Sequence, residues 1–111
     1  MTETPATREL TVTFDNLDPA QHVVQSWSLQ RNVTKVRVDM VQRPHDRVRI
    51  RVVVSGRRTS LRLDGTIEDL GVADDCIGTT RMWPNNAYPV WLQALIDQAV
   101  AGFETMIEDQ P

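Results

Sequence analysis

The stretch 35–54 constrains the fold of this chain more than any other part of it. Val36, Val38 and Met40 alternate with Lys35, Arg37 and Asp39. Beyond Arg43-Pro44-His45-Asp46, Val48, Ile50, Val52 and Val54 alternate with Arg47, Arg49, Arg51 and Val53. A period of two sends successive side chains to opposite faces of a strand, and Pro44 and Asp46 supply turn chemistry between the two runs. The expected unit is therefore a β-hairpin with an apolar and a cationic face. Both apolar sets fall at even positions, so facing residues must sum to an even number; any other register turns one core set to water. That excludes a two-residue connection. Pairing Met40 with Ile50 also sets Asp39 opposite Arg51, whereas the neighbouring register sets Arg37 against Arg51, a like-charge pair. The first register is expected.

The flanking segments extend this pattern. Leu10, Val12 and Phe14 alternate with Glu9, Thr11 and Thr13 as a half-buried strand does. Asp18-Pro19 followed by Gln21 reads as an N-cap, a proline at the first helical position and a capping-box partner, which predicts a helix from Pro19 to about Gln30. The alternative is a strand over 22–30 with Val23, Trp27 and Leu29 inward. Gly56-Arg57-Arg58 suggests the next turn, and Leu61, Leu63 and Ile67 alternating with Arg62, Asp64, Thr66 and Glu68 the next strand. Gly65 inside that strand suggests a bulge or the close approach of another backbone. Residues 70–86 show neither period, apart from a possible short edge strand over Cys76 to Trp83, so they read as a long loop.

The chain closes with an amphipathic helix. Asn85 or Asn86 is placed to cap it, and Pro89 stands in the first turn, where a missing N–H costs nothing. Tyr88, Leu92, Leu95, Ile96, Ala99, Phe103, Met106 and Ile107 share a sector of about 100°. Gln93, Asp97, Glu104 and Glu108 lie opposite. The fold expected is α+β: an antiparallel meander of three to five strands, one face covered by the C-terminal helix, with a short helix after the first strand.

Composition limits the functions such a fold can carry. At 111 residues the chain is the size of one domain, read as a tail over 1–7 and a single domain over 8–109. A net charge of −3 argues against nucleic-acid binding over the whole surface. Cys76 is the sole cysteine, no apolar run resembles a signal peptide or a membrane span, and a cytoplasmic location is the default expectation. Lys35 is the sole lysine among 12 basic residues, the bias of a GC-rich genome, as in a bacterial or phage accessory protein.

No catalytic, cofactor or metal signature stands out. Cys76 with His22 or His45 lacks the flanking sequence of a nucleophile, and a small buried hydrophobe is the expected role for the thiol. Asp64, Glu68, Asp69, Asp74 and Asp75 match no spaced cation loop, and an enzyme using 70–86 as a lid is the least supported reading. The element order helix, three strands, helix resembles that of double-stranded RNA-binding domains. That family's lysines at the start of the last helix are replaced here by Asn85, Asn86, Ala87 and Tyr88, so its function is not carried over. Two surfaces remain. Trp83 in the stretch just before Pro84, Tyr88 in the helix's apolar sector and Trp91 at the margin of that sector suit a protein interface or the completion of the core. Lys35, Arg37, Arg47, Arg49, Arg51, Arg57, Arg58 and Arg62 offer a basic face that suits phosphates or is simply the solvated side of a sheet. The leading expectation is a non-enzymatic binding or assembly protein whose partner is another protein or a second copy of itself; the alternative is a nucleic-acid-binding protein using the arginine hairpin.

Overall fold

The computed structural model describes residues 6–26, 28–79 and 88–108. Five strands, β1 (Arg8–Phe14), β2 (Val23–Ser26), β3 (Leu29–Gln42), β4 (Arg49–Leu61) and β5 (Ile67–Thr79), precede one helix, α1 (Val90–Glu108). They form a single antiparallel sheet in the order β1-β3-β4-β5, with β2 also paired to β3. The chain is thus α+β, as its periodicities require.

The central hairpin has the register its charges demand. Met40 faces Ile50 and Asp39 faces Arg51. Asp39 collects three donors, Arg37 Nε at 3.0 Å, Arg51 Nη2 at 3.1 Å and Thr11 Oγ1 at 3.1 Å, which ties β1, β3 and β4 together on the face away from α1. On the other face Val36, Val38, Met40, Val52 and Val54 are buried with Leu92, Ile96, Ala99 and Phe103 of α1. The helical spacing of those four residues gives one continuous stripe toward the sheet.

One extra residue in β3 alters this alternation. Val33 faces Gly56 and Lys35 faces Ser55, so Thr34 is bulged. The bulge brings odd-numbered Val33 onto the core face, where it is fully buried. It also presses the strands together, since a Cβ on Gly56 would overlap the carbonyl oxygen of Asn32.

Four expectations are corrected. Among the described residues of 19–30 there is no helix. Asp18 does cap, accepting the Ala20 N–H on Oδ1 and the Gln21 and His22 N–H groups on its carbonyl, but only one turn forms. Helix nucleation is costly, whereas pairing with β3 buries Val24 and satisfies a ladder of backbone groups; the backbone is extended, as the alternative reading had it, but it forms two paired strands rather than one over 22–30, and Val24 rather than Val23 is the buried residue. The order shared with double-stranded RNA-binding domains is lost with that helix.

Second, Arg57 and Arg58 lie inside β4, which runs on to Leu61. The chain reverses at Arg62 to Thr66, where Asp64 accepts both the N–H and the hydroxyl of Thr66, and Gly65 takes a φ of +88° with nothing near its α-carbon. Gly65 therefore serves the turn, and Leu61 and Ile67 are cross-strand partners. Third, the part of the expected 70–86 loop that is described, up to residue 79, is strand, the continuation of β5. Bulges at Leu70 and Ile77 and a φ of +79° at Gly71 interrupt the period of two, which is why alternation cannot find β5. Fourth, Cys76 is exposed.

Trp27, Trp83, Asn85, Asn86, Asp109, the rest of 80–87 and the side chains of Ile107 and Glu108 lie outside the described residues. Among the described residues no helix is long and apolar enough to cross a membrane.

Candidate interaction surface

The distal halves of β4 and β5 form an arm that α1 does not cover. The helix packs on β3 and β1, and every residue from Leu61 to Leu70 is exposed. The radius of gyration is 16.9 Å, against about 13 Å for a compact domain of this length. Six large apolar side chains are exposed among the described residues, and five of them, Leu61, Leu63, Ile67, Leu70 and Val72, sit on this arm. Isolated exposed aliphatics are ordinary. Their concentration on one projecting hairpin is not, because such patches mark surfaces that other molecules cover.

Most of the arm's charges are paired, although Asp64 in the turn has no ion pair among the described residues. Arg62 pairs with Glu68 at 2.8 Å, Arg57 with Asp69, and Arg58 with Asp75 at 3.7 Å while also donating to the Leu70 carbonyl. The Gly71 N–H, and then the Arg57 guanidinium, hold the Asp69 carboxyl below its ordinary range against the upward push of desolvation. Exposed pairs of this kind add little to folding. They do mean that a partner could cover the Arg62–Glu68 and Arg57–Asp69 pairs without stranding either charge, the condition that makes burial of ions tolerable.

The basic residues are accounted for in the same way. Of the eight basic residues in the candidate nucleic-acid face, Arg37, Arg49, Arg51, Arg57, Arg58 and Arg62 are ion-paired. Lys35 and Arg47 have no ion pair among the described residues. Nor do all eight share a face. Lys35, Arg37, Arg49, Arg51 and Arg57 project away from α1. Arg58, two residues beyond Gly56, lies on the helix side. Arg62 is in the distal turn and Arg47 precedes β4. The sheet therefore does not present a continuous cationic surface.

Tyr88 and Trp91 fasten the start of α1 to the sheet. Trp91 donates its indole N–H to the Val23 carbonyl at 3.2 Å and meets His22 edge-on, with ring centroids 4.9 Å apart. The Tyr88 hydroxyl donates to the Ile77 carbonyl at 3.0 Å, and burial, then the nearby Cys76 thiol, raises its pKa. Both rings are half-buried, so β2 and β5 are bridged by one helical turn. Trp83 falls outside the described residues.

A cleft of about 640 Å³ opens between these bridged edges, lined by Val23, Val24, Gln25, Arg31, Ile77 and Pro89 among others. Among the described residues no group of three His, Cys, Asp or Glu side chains is placed to hold a metal ion.

The arm is the feature that alternation concealed, although the sequence does carry its signal. Asp64-Gly65 flanked by Leu61, Leu63 and Ile67 is a strong short-range hairpin signature. Its aliphatics read as core only on the assumption that apolar means inward. The chain matches no protein-family model, no curated protein and no solved structure.

Proposed function

We propose that this chain is a non-enzymatic binding or assembly protein that engages a protein partner through the β4–β5 arm. One observation carries the reading: the large exposed aliphatics concentrate on a projecting hairpin, beside the ion pairs Arg62–Glu68 and Arg57–Asp69. Apolar anchors surrounded by satisfied polar groups are what a protein–protein interface contains. Tyr88 and Trp91 support this reading indirectly, by holding the body from which the arm projects. The partner is another protein or a second copy of the chain.

The test compares wild type with Leu61→Ser/Leu63→Ser/Ile67→Ser. Light scattering over a range of concentrations reads self-association, and affinity capture from the source lysate reads other partners. Mass above the monomer, or specific captured species, that the triple variant loses supports the proposal. A strict monomer capturing the same species with and without the arm's aliphatics removes it.

The nucleic-acid reading has less support, because guanidiniums already bound to carboxylates release fewer counterions on meeting phosphate. A gel shift at low salt that Arg47→Glu/Arg49→Glu/Arg51→Glu abolishes would restore it.

A further inference from the structure

A second site, away from the arm, is indicated by an imbalance of charge. Arg31 stands on the helix side of β3, opposite Val24 of β2. Its Nε lies 3.1 Å from Asp75 Oδ2, and the same carboxylate takes Arg58 Nη1 at 3.7 Å through its other oxygen. Among the described residues no other carboxylate pairs with either arginine, so two cations share one anion. The cluster is largely withdrawn from water, the Arg31 and Asp75 side chains being 17% and 22% exposed. It is also short of acceptors. Arg58 Nε is buried without a hydrogen-bond partner, and the two Nη groups of Arg31 have none among the described residues. Partial burial of an uncompensated charge is unfavourable unless something neutralises it.

The surroundings limit what that something is. Arg31 forms part of the wall of the 640 Å³ cleft, whose lining mixes the polar Gln25, Ser26 and Tyr88 with Val23, Ile77 and Pro89. The cleft also borders an open strand edge. His22 accepts a hydrogen bond from the Val33 N–H, so in this antiparallel pair residues 22, 24 and 26 bond to β3 while 23 and 25 point away. Consistent with that, the Val23 carbonyl is taken by Trp91. The Gln25 N–H and C=O are therefore directed off the sheet along the cleft.

We infer that this cleft binds a carboxylate carried on an apolar group, with the carboxylate forked onto Arg31. A single negative charge balances the cluster, planar guanidinium matches carboxylate in two parallel bonds, and Val23, Ile77 and Pro89 receive the group beside it. Two sources share this chemistry: the C-terminus of an extended peptide ending in an aliphatic residue, and a free aliphatic acid. Only the peptide also pairs with the Gln25 edge, by adding a strand. This inference does not depend on the arm.

The experiment is an NMR titration of the intact ¹⁵N-labelled protein, following the Arg31 Nε–H and the Gln25 amide. The probes are N-acetyl-Ser-Leu-Val with a free C-terminus, its C-terminal amide, octanoate and inorganic phosphate. The free-acid peptide is expected to move both signals saturably, and the amide to bind about tenfold or more weakly, the loss of one charge-assisted contact. Octanoate moving Arg31 alone upholds the carboxylate site and assigns it to a small acid. Arg31→Gln is expected to abolish the response; should that variant fail to fold, acid against amide in the wild type still decides. No saturable shift at Arg31 with any probe, equal binding of acid and amide, or phosphate binding as well as the carboxylates overturns the inference.

Discussion

Two stretches of the same strand, β4, meet opposite fates. Val52 and Val54 lie under α1 and are wholly buried, whereas Leu61, at the far end of the strand, is 55% exposed and its cross-strand partner Ile67 72%. The residue types are equally apolar, and both sites lie in extended, antiparallel-paired backbone. What separates them is face as well as cover: Val52 and Val54 stand on the helix side of β4, whereas Leu61, at an odd position like Arg57, stands on the other side. α1 supplies Leu92, Ile96, Ala99 and Phe103 to one half of the sheet and nothing to the arm. Alternation in a strand tells which side chains share a face; it does not tell whether anything lies over that face.

This contrast between body and arm orders the expected effects of substitution. Phe103→Ala should be the most damaging, because a fully buried aromatic is lost at the contact between helix and sheet: about 3–5 kcal/mol, read by urea denaturation. A loss under about 1 kcal/mol would mean that α1 does not face the core. Gly56→Ala comes next. The added methyl meets the Asn32 carbonyl across the bulge, and overpacking of this kind costs about 1–3 kcal/mol; an unchanged midpoint would show that the bulge relaxes without penalty.

Asp39→Asn should cost less, about 1–2 kcal/mol, by removing the charge that holds Arg37 and Arg51. Its signature lies in pH. Desolvation pushes the Asp39 carboxyl up, but hydrogen bonds from Arg37, Arg51 and Thr11 outweigh it and the pKa is lowered. A lowered folded-state pKa contributes stability that is present above the unfolded value of about 3.9 and lost as pH falls through the folded value. Thermal melts between pH 6 and pH 2 should therefore converge for wild type and Asp39→Asn at the acid end. A gap that stays constant would place the stabilisation elsewhere. The smallest effect is expected on the arm, where Asp69→Asn breaks an exposed pair with Arg57 and should leave the unfolding midpoint close to that of wild type. A larger loss would show that the arm's charges help fold the body.

The sheet's centre and its helix were legible because their signals are redundant. Parity, turn chemistry and the Asp39–Arg51 pairing all select one register, and α1 repeats its apolar residues over five turns. β2 was obscured by a genuine N-cap at Asp18 that organises a single turn and stops. β5 was obscured by its bulges at Leu70 and Ile77, which shift the phase of the pattern twice. The interaction surface is hidden for a different reason: Leu61, Leu63 and Ile67 look like core residues in a sequence, and only the structure shows that, among the described residues, they stand exposed beyond the helix-covered half of the sheet. The cleft at Arg31 was not legible at all, since Arg31, Arg58 and Asp75 come from three strands and meet only when the sheet closes around them.

The most direct measurement is the stability of Leu61→Ser/Leu63→Ser/Ile67→Ser in dilute solution, set beside Phe103→Ala. If the arm lies outside the core, replacing its three aliphatics should leave the unfolding midpoint within about 1 kcal/mol of wild type, while Phe103→Ala loses several times that. A triple variant that unfolds as readily as Phe103→Ala would contradict this, showing that those side chains belong to the folded core.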